Sequence, residues 1–403
     1  MKSCLEELAI FGGVPAFKES LHVGCPNIGN RESLLARFND ILERRWLTNG
    51  GPYVQEFERR VAEAVGVKHC IATCNGTMAL EIAIRAAGLT GEVIVPSMTF
   101  IATAHALQWQ QITPIFCDVD PQTHNIDPRA VEGLITSRTT GIIGVHLWGR
   151  PCDVEGLTEV ARRHNLKLLF DAAHAFGCSY KGCMIGRFGD AEVFSFHATK
   201  FVNTLEGGAI VTNDDDIAVK SRLMKNFGFA GYDKVVSIGT NGKMSEISAA
   251  MGLTSLESMN EFISANQRNY KHYKREMAGL PGIQFIAYDE SERCNYQFVV
   301  AEVDEAVARF TRDQLLEVMH AENILVRRYF YPGCHQMEPY CSCFPQAGLA
   351  LPLTEGLVTR VLSLPTGTSV GEEEISVIAS IIRLALENGE QVRLRLAKSK
   401  PGH

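Results

Sequence analysis

At 403 residues the chain is too long for one ordinary domain and suits a large domain joined to a smaller one. It is 46% hydrophobic and 21% charged, the balance of a globular protein with a sizeable core, and its formal net charge of −7 argues against nucleic acid as the main partner. No stretch approaches the roughly 20 uninterrupted apolar residues of a membrane span, and Glu6 and Glu7 break any apolar leader just after Leu5, so a cytoplasmic protein without a membrane partner is expected.

In chain order, residues 31–45 and 52–65 carry apolar positions at helical spacing; Pro52 suits the first turn of the second helix and Gly66 ends it. The link from Trp46 to Gly51 is a turn with one large aromatic, which either lines a site or simply packs. From residue 69 onward, β-rich runs at 69–74, 92–96, 113–118, 140–146 and 166–171 alternate with helical stretches at 77–88, 100–110, 128–136 and 154–164. Such alternation predicts an α/β fold with a mostly parallel sheet covered on both faces. Val193 to Phe196 reads as another strand that breaks at a polar elbow holding Lys200 and resumes after Gly207-Gly208. Helices follow at 215–227 and 244–280, the latter long enough to bridge to a second unit.

After Pro281-Gly282 the pattern becomes α+β: strands at 283–287, 295–303 and 324–329, a helix at 312–322 and a closing helix near 371–388. The boundary is placed within 255–282, which gives residues 1–255 to a large domain with an N-terminal helical segment. Residues 256–403 then form a bridging helix and a small C-terminal α+β domain. The polar tail from Arg393 to His403 is expected to fray. The 12 cysteines are scattered singly, and Cys341-Ser342-Cys343 has no second pair at zinc-ligand spacing, so reduced thiols and no metal are expected.

The residues with chemistry fall at strand ends, where open α/β sheets bind ligands. Asn75-Gly76-Thr77 opens a helix whose free N–H groups suit an anion, although many ordinary N-caps share this composition. Asp171 ends a Leu-Leu-Phe strand, an awkward place for a carboxylate without a cationic partner; it either caps the next helix or pairs with a bound cation. His174 lies a turn further on, Phe100 could stack on a planar ring or belong to the core, and Ser195 could hold a phosphate. Lys200 follows a buried strand, where desolvation lowers a lysine's pKa as a Schiff-base amine requires. An anion cradle, an aromatic plate, a buried carboxylate and a lysine on one sheet together form the kit for pyridoxal 5′-phosphate.

Here the sequence resembles the fold-type-I pyridoxal-phosphate enzymes, specifically the DegT/DnrJ/EryC1/StrS nucleotide-sugar aminotransferases. The matching pieces run over roughly residues 10–385. They include Pro52-Tyr53-Val54-Gln55-Glu56-Phe57-Glu58, Asn75-Gly76-Thr77, Pro96-Ser97-Met98-Thr99-Phe100, Cys117-Asp118-Val119-Asp120, Val145-His146-Leu147-Trp148-Gly149, Asp171-Ala172-Ala173-His174-Ala175, Phe194-Ser195-Phe196-His197-Ala198-Thr199-Lys200 and Glu206-Gly207-Gly208. Asn241, with Met244-Ser245-Glu246-Ile247, also fits.

The resemblance implies that Lys200 binds the cofactor covalently and shuttles the proton, Asp171 pairs with its pyridine nitrogen and Phe100 stacks on its ring. It places His174 near the phenolic oxygen and assigns the phosphate to Gly76, Thr77 and Ser195. Asn241 would reach the phosphate region of a neighbouring subunit, which implies a homodimer with shared active sites. A lysine at position 200, where some relatives carry histidine and dehydrate their substrates, favours transamination. The expected reaction moves an amino group from an amino acid, best L-glutamate, through pyridoxamine 5′-phosphate to a nucleotide-linked keto-deoxysugar, best dTDP-4-keto-6-deoxyhexose.

A 3-keto sugar or keto-cyclitol acceptor is the alternative. A dehydratase, and a regulator without enzymatic activity, stand further back; the acidic chain lacks a basic DNA-binding segment. Trp46, His146, Arg327, Arg328, Tyr329 and His335 are further candidates for the sugar-nucleotide side. Two departures bear on substrate identity: Leu205 stands where the family often has glycine, and Lys243 where it often has arginine, whose bidentate fork lysine lacks.

Overall fold

The structure, a computed structural model, describes residues 2–399. Its centre is a seven-stranded sheet made of β1 (His69–Thr73), β2 (Glu92–Pro96), β3 (Thr113–Cys117), β4 (Thr139–Val145), β5 (Lys167–Asp171), β6 (Ala191–Ser195) and β7 (Gly208–Thr212). The spatial order is β1-β7-β6-β5-β4-β2-β3, and every pairing is parallel except those of β7, which runs antiparallel to both neighbours. The runs Val93-Ile94-Val95 and Leu168-Leu169-Phe170 are buried on both faces, which is why they read as continuous apolar stretches without alternation.

Glycine makes the β7 insertion feasible. A Cβ on Gly208 would lie 2.6 Å from the Asn75 carbonyl carbon and 2.7 Å from the Gly76 nitrogen, so β7 can start beneath that turn only without a side chain.

The local signals hold at several helix ends. Asn30 caps Arg31–Arg44 by accepting the Ser33 N–H, Pro52 occupies the first turn of Pro52–Val65, and Gly66 closes that helix at φ 76°. Elsewhere the structure departs from the expectation. The single helix expected over 244–280 is two, Glu246–Glu257 and Met259–Glu276, broken at Ser258. The tail does not fray through residue 399: Gly389–Ser399 is helical because Val392 and Leu396, one turn apart, are buried in the C-terminal core, and Arg395 pairs with Glu6 at 2.5 Å. Residues 400–403 of that tail lie outside the described residues.

The C-terminal part holds a three-stranded antiparallel sheet with β9 (Val299–Val303) between β8 (Ile283–Phe285) and β10 (Val361–Leu364); β10 is absent from the sequence expectations. The strand expected from 295 begins only at 299, since Asn295 turns aside to donate to the carbonyls of His174 and Phe176 at 2.8 and 3.0 Å. The strand expected over 324–329 shrinks to Ile324–Leu325, paired in parallel with Leu21–His22.

For the division proposed at 255/256, the packing adds that residues 2–22 sit with the second part. One apolar cluster runs from Leu5 and Leu8 through Val145 at the end of β4 and Trp148 in the turn after it to Ile378 and Ile382 of the helix Glu372–Glu387. All 12 cysteines are free thiols, and no helix among the described residues is long and apolar enough to cross a membrane.

Candidate active site

Seven of the eight expected site residues meet around one cavity of about 590 Å³ at the carboxyl ends of β1, β5 and β6. Gly76, Thr77, Phe100, Asp171, His174, Ser195 and Lys200 all line it. Crossover connections bring this about, because each parallel strand ends on the same edge and delivers its loop there.

At one end of the cavity the helix Gly76–Ala86 starts directly from β1. Asn75 caps it by accepting the Met78 N–H at 2.8 Å, which leaves the Gly76 and Thr77 N–H groups at the positive end of the helix without an acceptor among the described residues. Ser195 stands just behind: a Cβ on Gly76 would come within 3.1 Å of the Ser195 Cβ, so glycine permits this approach. Two free amides and a hydroxyl converge as a phosphate group requires.

Across the floor of the cavity, Asp171 is buried at the end of β5. Its Oδ2 accepts the Thr103 hydroxyl at 2.8 Å and its Oδ1 the Ala173 N–H at 3.1 Å, while Thr99 and Thr103 hydroxyls lie 2.9 Å apart. No lysine or arginine forms an ion pair with it among the described residues. Burial pushes its carboxyl above the usual aspartate value, and the Thr103 and Ala173 hydrogen bonds pull back against that. The next-helix cap is not its role, since residues 173–177 form a turn and no helix starts there.

His174 is held in one tautomer. Its Nδ1 accepts the Trp148 backbone N–H at 3.2 Å, which places the proton on Nε2, and burial holds the ring well below the usual histidine pKa, with Lys200 adding to that. The neutral ring stacks on Phe330 at 5.8 Å between centroids and 14° between planes. Lys200 sits on the loop that leaves β6, with its N–H bonded to the His197 carbonyl at 2.8 Å. Burial lowers its ammonium to about 8, and the opposing pull of the Asp171 carboxylate is the smaller effect. Phe100 is 56% exposed, its ring 6.1 Å from that of Phe330, so it is a wall of the cavity and not core.

Asn241 does not join this cavity. It is exposed on the loop beyond the helix Asp215–Met224 and bridges to Asn226. Among the substrate-side candidates, Arg327 and Tyr329 line the cavity, with the guanidinium 5.6 Å from the tyrosine ring.

The other substrate-side candidates lie elsewhere. His146 is fully buried, accepts the Cys152 N–H through Nδ1 at 2.9 Å, stacks on Phe170 and faces Glu192 at 3.3 Å, so it packs beneath the strands. His335 is buried against Ser97 at 2.7 Å. Arg328 pairs with Asp313 at 3.1 Å, and the exposed Trp46 donates to the Thr48 carbonyl at 2.7 Å.

Residues without a sequence signal complete the walls: Val23 and Gly24, Thr103 behind Asp171, and Gln297 with Phe298 from the C-terminal part. Thr103 could have been found only as one polar position on an otherwise small, apolar helix face. Leu205 has φ 64°, a left-handed conformation that glycine adopts freely, while Lys243 stacks at 4.6 Å over Phe227 and lies off the cavity.

Comparison with known proteins finds relatives over most of the chain. The sequence model of the DegT/DnrJ/EryC1/StrS aminotransferase family matches residues 29–383, which leaves Val23 and Gly24 outside the matched stretch. The chain is 36% identical over 366 residues to the dTDP-4-amino-4,6-dideoxy-D-glucose transaminase of Shigella dysenteriae, covering 91% of this chain and 99% of that one. It is 37% identical to the GDP-perosamine synthase of Caulobacter vibrioides over 85% of this chain and 92% of that one. The crystal structure of DesI in the presence of its TDP-sugar product superposes with a TM-score of 0.93 at 49% identity, covering 98% of this chain and 100% of that one.

Proposed function

The chain belongs to the DegT/DnrJ/EryC1/StrS aminotransferase family, and from that premise we propose that it moves the amino group of L-glutamate to C4 of a thymidine-diphosphate-linked 4-keto-6-deoxyhexose. The products are 2-oxoglutarate and the 4-amino sugar nucleotide. The thymidine carrier and the C4 position rest on the likeness to the Shigella transaminase and to DesI.

The residues fit the cofactor that the family uses, pyridoxal 5′-phosphate. Asp171 is a buried carboxylate without a cationic side chain bonded to it and accepts a protonated ring nitrogen there; the Gly76 and Thr77 amides with Ser195 suit the phosphate, and Phe100 the ring face. When bound, this cofactor supplies an electron sink for the pair left by a departing α-proton. Lys200 Nζ, with its pKa near 8, has a substantial neutral fraction at mildly alkaline pH; it would hold the cofactor by its aldehyde carbon until the donor's amine displaces it, and once freed would take the proton from the donor's α-carbon and, in the second half-reaction, deliver one to C4 of the sugar. His174 would donate from Nε2 to the phenolic oxygen, because the Trp148 N–H occupies its other nitrogen. Arg327, on the cavity wall, suits a carboxylate or diphosphate of the substrates.

A homodimer is part of the proposal. Asn241 is exposed beside the hairpin Phe229–Gly231 and Lys234–Val235, where Phe229, Tyr232, Val235, Val236 and Ile238 are also exposed, which supports burial against a second copy. The free thiols support a reducing, cytoplasmic setting.

The observation that carries the reading is the low-pKa lysine in the same cavity as the unpaired carboxylate and the helix start. Its test is the holoprotein with glutamate alone, followed by absorbance for formation of pyridoxamine 5′-phosphate, and then with a panel of thymidine- and guanosine-linked 4-keto and 3-keto sugars and a keto-cyclitol. Repeated turnover by Lys200→Ala, or amination of the cyclitol in preference to every ketosugar, refutes it.

A further inference from the structure

The N-terminal stretch ahead of the family match reaches the cavity as a strap pinned at both ends. On its upstream side Glu322 is buried and accepts the N–H groups of Ala9 and Ala16, both at 2.7 Å, and the Lys2 ammonium at 2.8 Å. The Leu21 N–H then bonds to the Asn323 carbonyl at 2.9 Å, and Leu21 and His22 pair with Ile324 and Leu325. Downstream, the buried Asn27 donates to the Phe201 carbonyl at 3.1 Å and accepts the Thr368 hydroxyl at 2.8 Å, while Asn203 donates to the Asn27 carbonyl at 2.9 Å. Residues 23–26 are therefore tied both to the second part of the fold and to the loop that carries Lys200.

Between these anchors Val23 and Gly24 form cavity wall. Gly24 has φ 77°, and a Cβ there would stand 3.0 Å from the Thr199 Cβ, one residue before Lys200. The cofactor groups are accounted for by Gly76, Thr77, Phe100, Asp171, His174 and Ser195, so the space between Lys200 and the strap is substrate space. Val23 brings only an apolar side chain to it. Two polar groups of the same cavity are already engaged: Thr199 Oγ1 lies 2.9 Å from His197 Nδ1, and Gln297 Oε1 takes the Phe201 N–H at 3.4 Å.

We propose that this strap is the specificity-determining wall for the acceptor, with Val23 against the exocyclic carbon beside the reacting carbonyl, so that a methyl group is accepted there over a hydroxymethyl. A hydroxyl pressed on Val23 gives up its water without gaining a partner. The proposal rests on the ketosugar aminotransferase reading.

The test uses the holoenzyme and its Val23→Ser and Val23→Ala variants in single turnovers, with the two half-reactions followed separately. The acceptors are TDP-4-keto-6-deoxyglucose and its 6-hydroxy analogue. Wild type is expected to favour the 6-deoxy acceptor about 100-fold, as one hydroxyl against an apolar wall produces, and Val23→Ser to narrow this to about tenfold, with Val23→Ala keeping most of it. The glutamate half-reaction is expected to change by less than about twofold. Unchanged cofactor absorbance and melting temperature establish that the variants are folded. An equal acceptor preference in wild type and Val23→Ser, or an equal loss in both half-reactions, overturns the strap proposal and leaves the aminotransferase reading standing. A wild type that reacts with glutamate but aminates no nucleotide ketosugar overturns that reading, and the strap proposal with it.

Discussion

Replacing Thr103 by valine removes one hydroxyl from behind the cavity carboxylate while nearly preserving side-chain volume. That hydroxyl donates to Asp171 Oδ2 at 2.8 Å, both side chains are buried, and among the described residues the other oxygen is supported by the Ala173 N–H at 3.1 Å alone. A hydrogen bond to a charged acceptor contributes about 1.5–3 kcal/mol, and the loss of this one also strips the Thr99 hydroxyl of its partner. Asp171 is already raised by burial, so the substitution raises it further and weakens the carboxylate's hold on a protonated ring nitrogen. At about 1.4 kcal/mol per tenfold, kcat for the glutamate half-reaction should fall roughly 10- to 150-fold. Stopped-flow absorbance supplies the rate, and a pH titration of the bound cofactor's absorbance reports the ring nitrogen independently of activity. Thr103→Ser keeps the donor and should stay within about threefold of wild type. Equal losses in the serine and valine variants, or none in either, would show that the hydrogen bond does not hold Asp171 in its working state.

The lysine's pH dependence has a defined sign. With its pKa near 8 in the fold against an ordinary 10.5, the unfolded chain binds more protons between those values, so in apoprotein its contribution to stability rises as pH climbs from about 8 to 10.5. Over the same chemistry, the rate at which apoprotein captures pyridoxal phosphate should rise about tenfold per pH unit below 8 and level off above it; a flat profile in rapid-mixing absorbance contradicts this. His146→Ala should cost about 3 kcal/mol in a urea unfolding series, from the cavity it leaves and the Cys152 N–H it strands, with little change in KM for either substrate. Arg327→Ala should raise KM for one substrate roughly tenfold or more, whereas Arg328→Ala, whose partner is Asp313 off the cavity, should stay within about twofold in the same steady-state assay.

Much of the site was legible because its members are encoded locally. Asp171 and Lys200 each follow an apolar strand, and Gly76 and Thr77 begin a capped helix, so the positions could be read without knowledge of the packing. His146 misled for the same reason. It too ends a strand, beside Leu147-Trp148-Gly149, yet its neighbours are Phe170 and Glu192 from two other strands, and they bury it. The strand Val361–Leu364 was missed because four apolar-rich residues carry no period of their own and become a strand only by pairing with Val299–Val303. The tail helix depended on a groove for Val392 and Leu396 that no local pattern announces.

By itself the amino-acid order determined the alternating elements, the parallel sheet and the edge on which its loops gather, since helix and strand periods, caps and glycine turns act over a few residues. Tertiary structure alone decided what closes around those loops. Thr103 meets Asp171 across 68 residues, Lys2 meets Glu322 across 320, and Asn27 meets Thr368 across 341. A hydrogen bond between such distant positions imposes no spacing on the chain between them, and for that reason the strap, the rear support of the carboxylate and the reach of Gln297 and Phe298 into the cavity became visible only once the sheet had brought their anchors together.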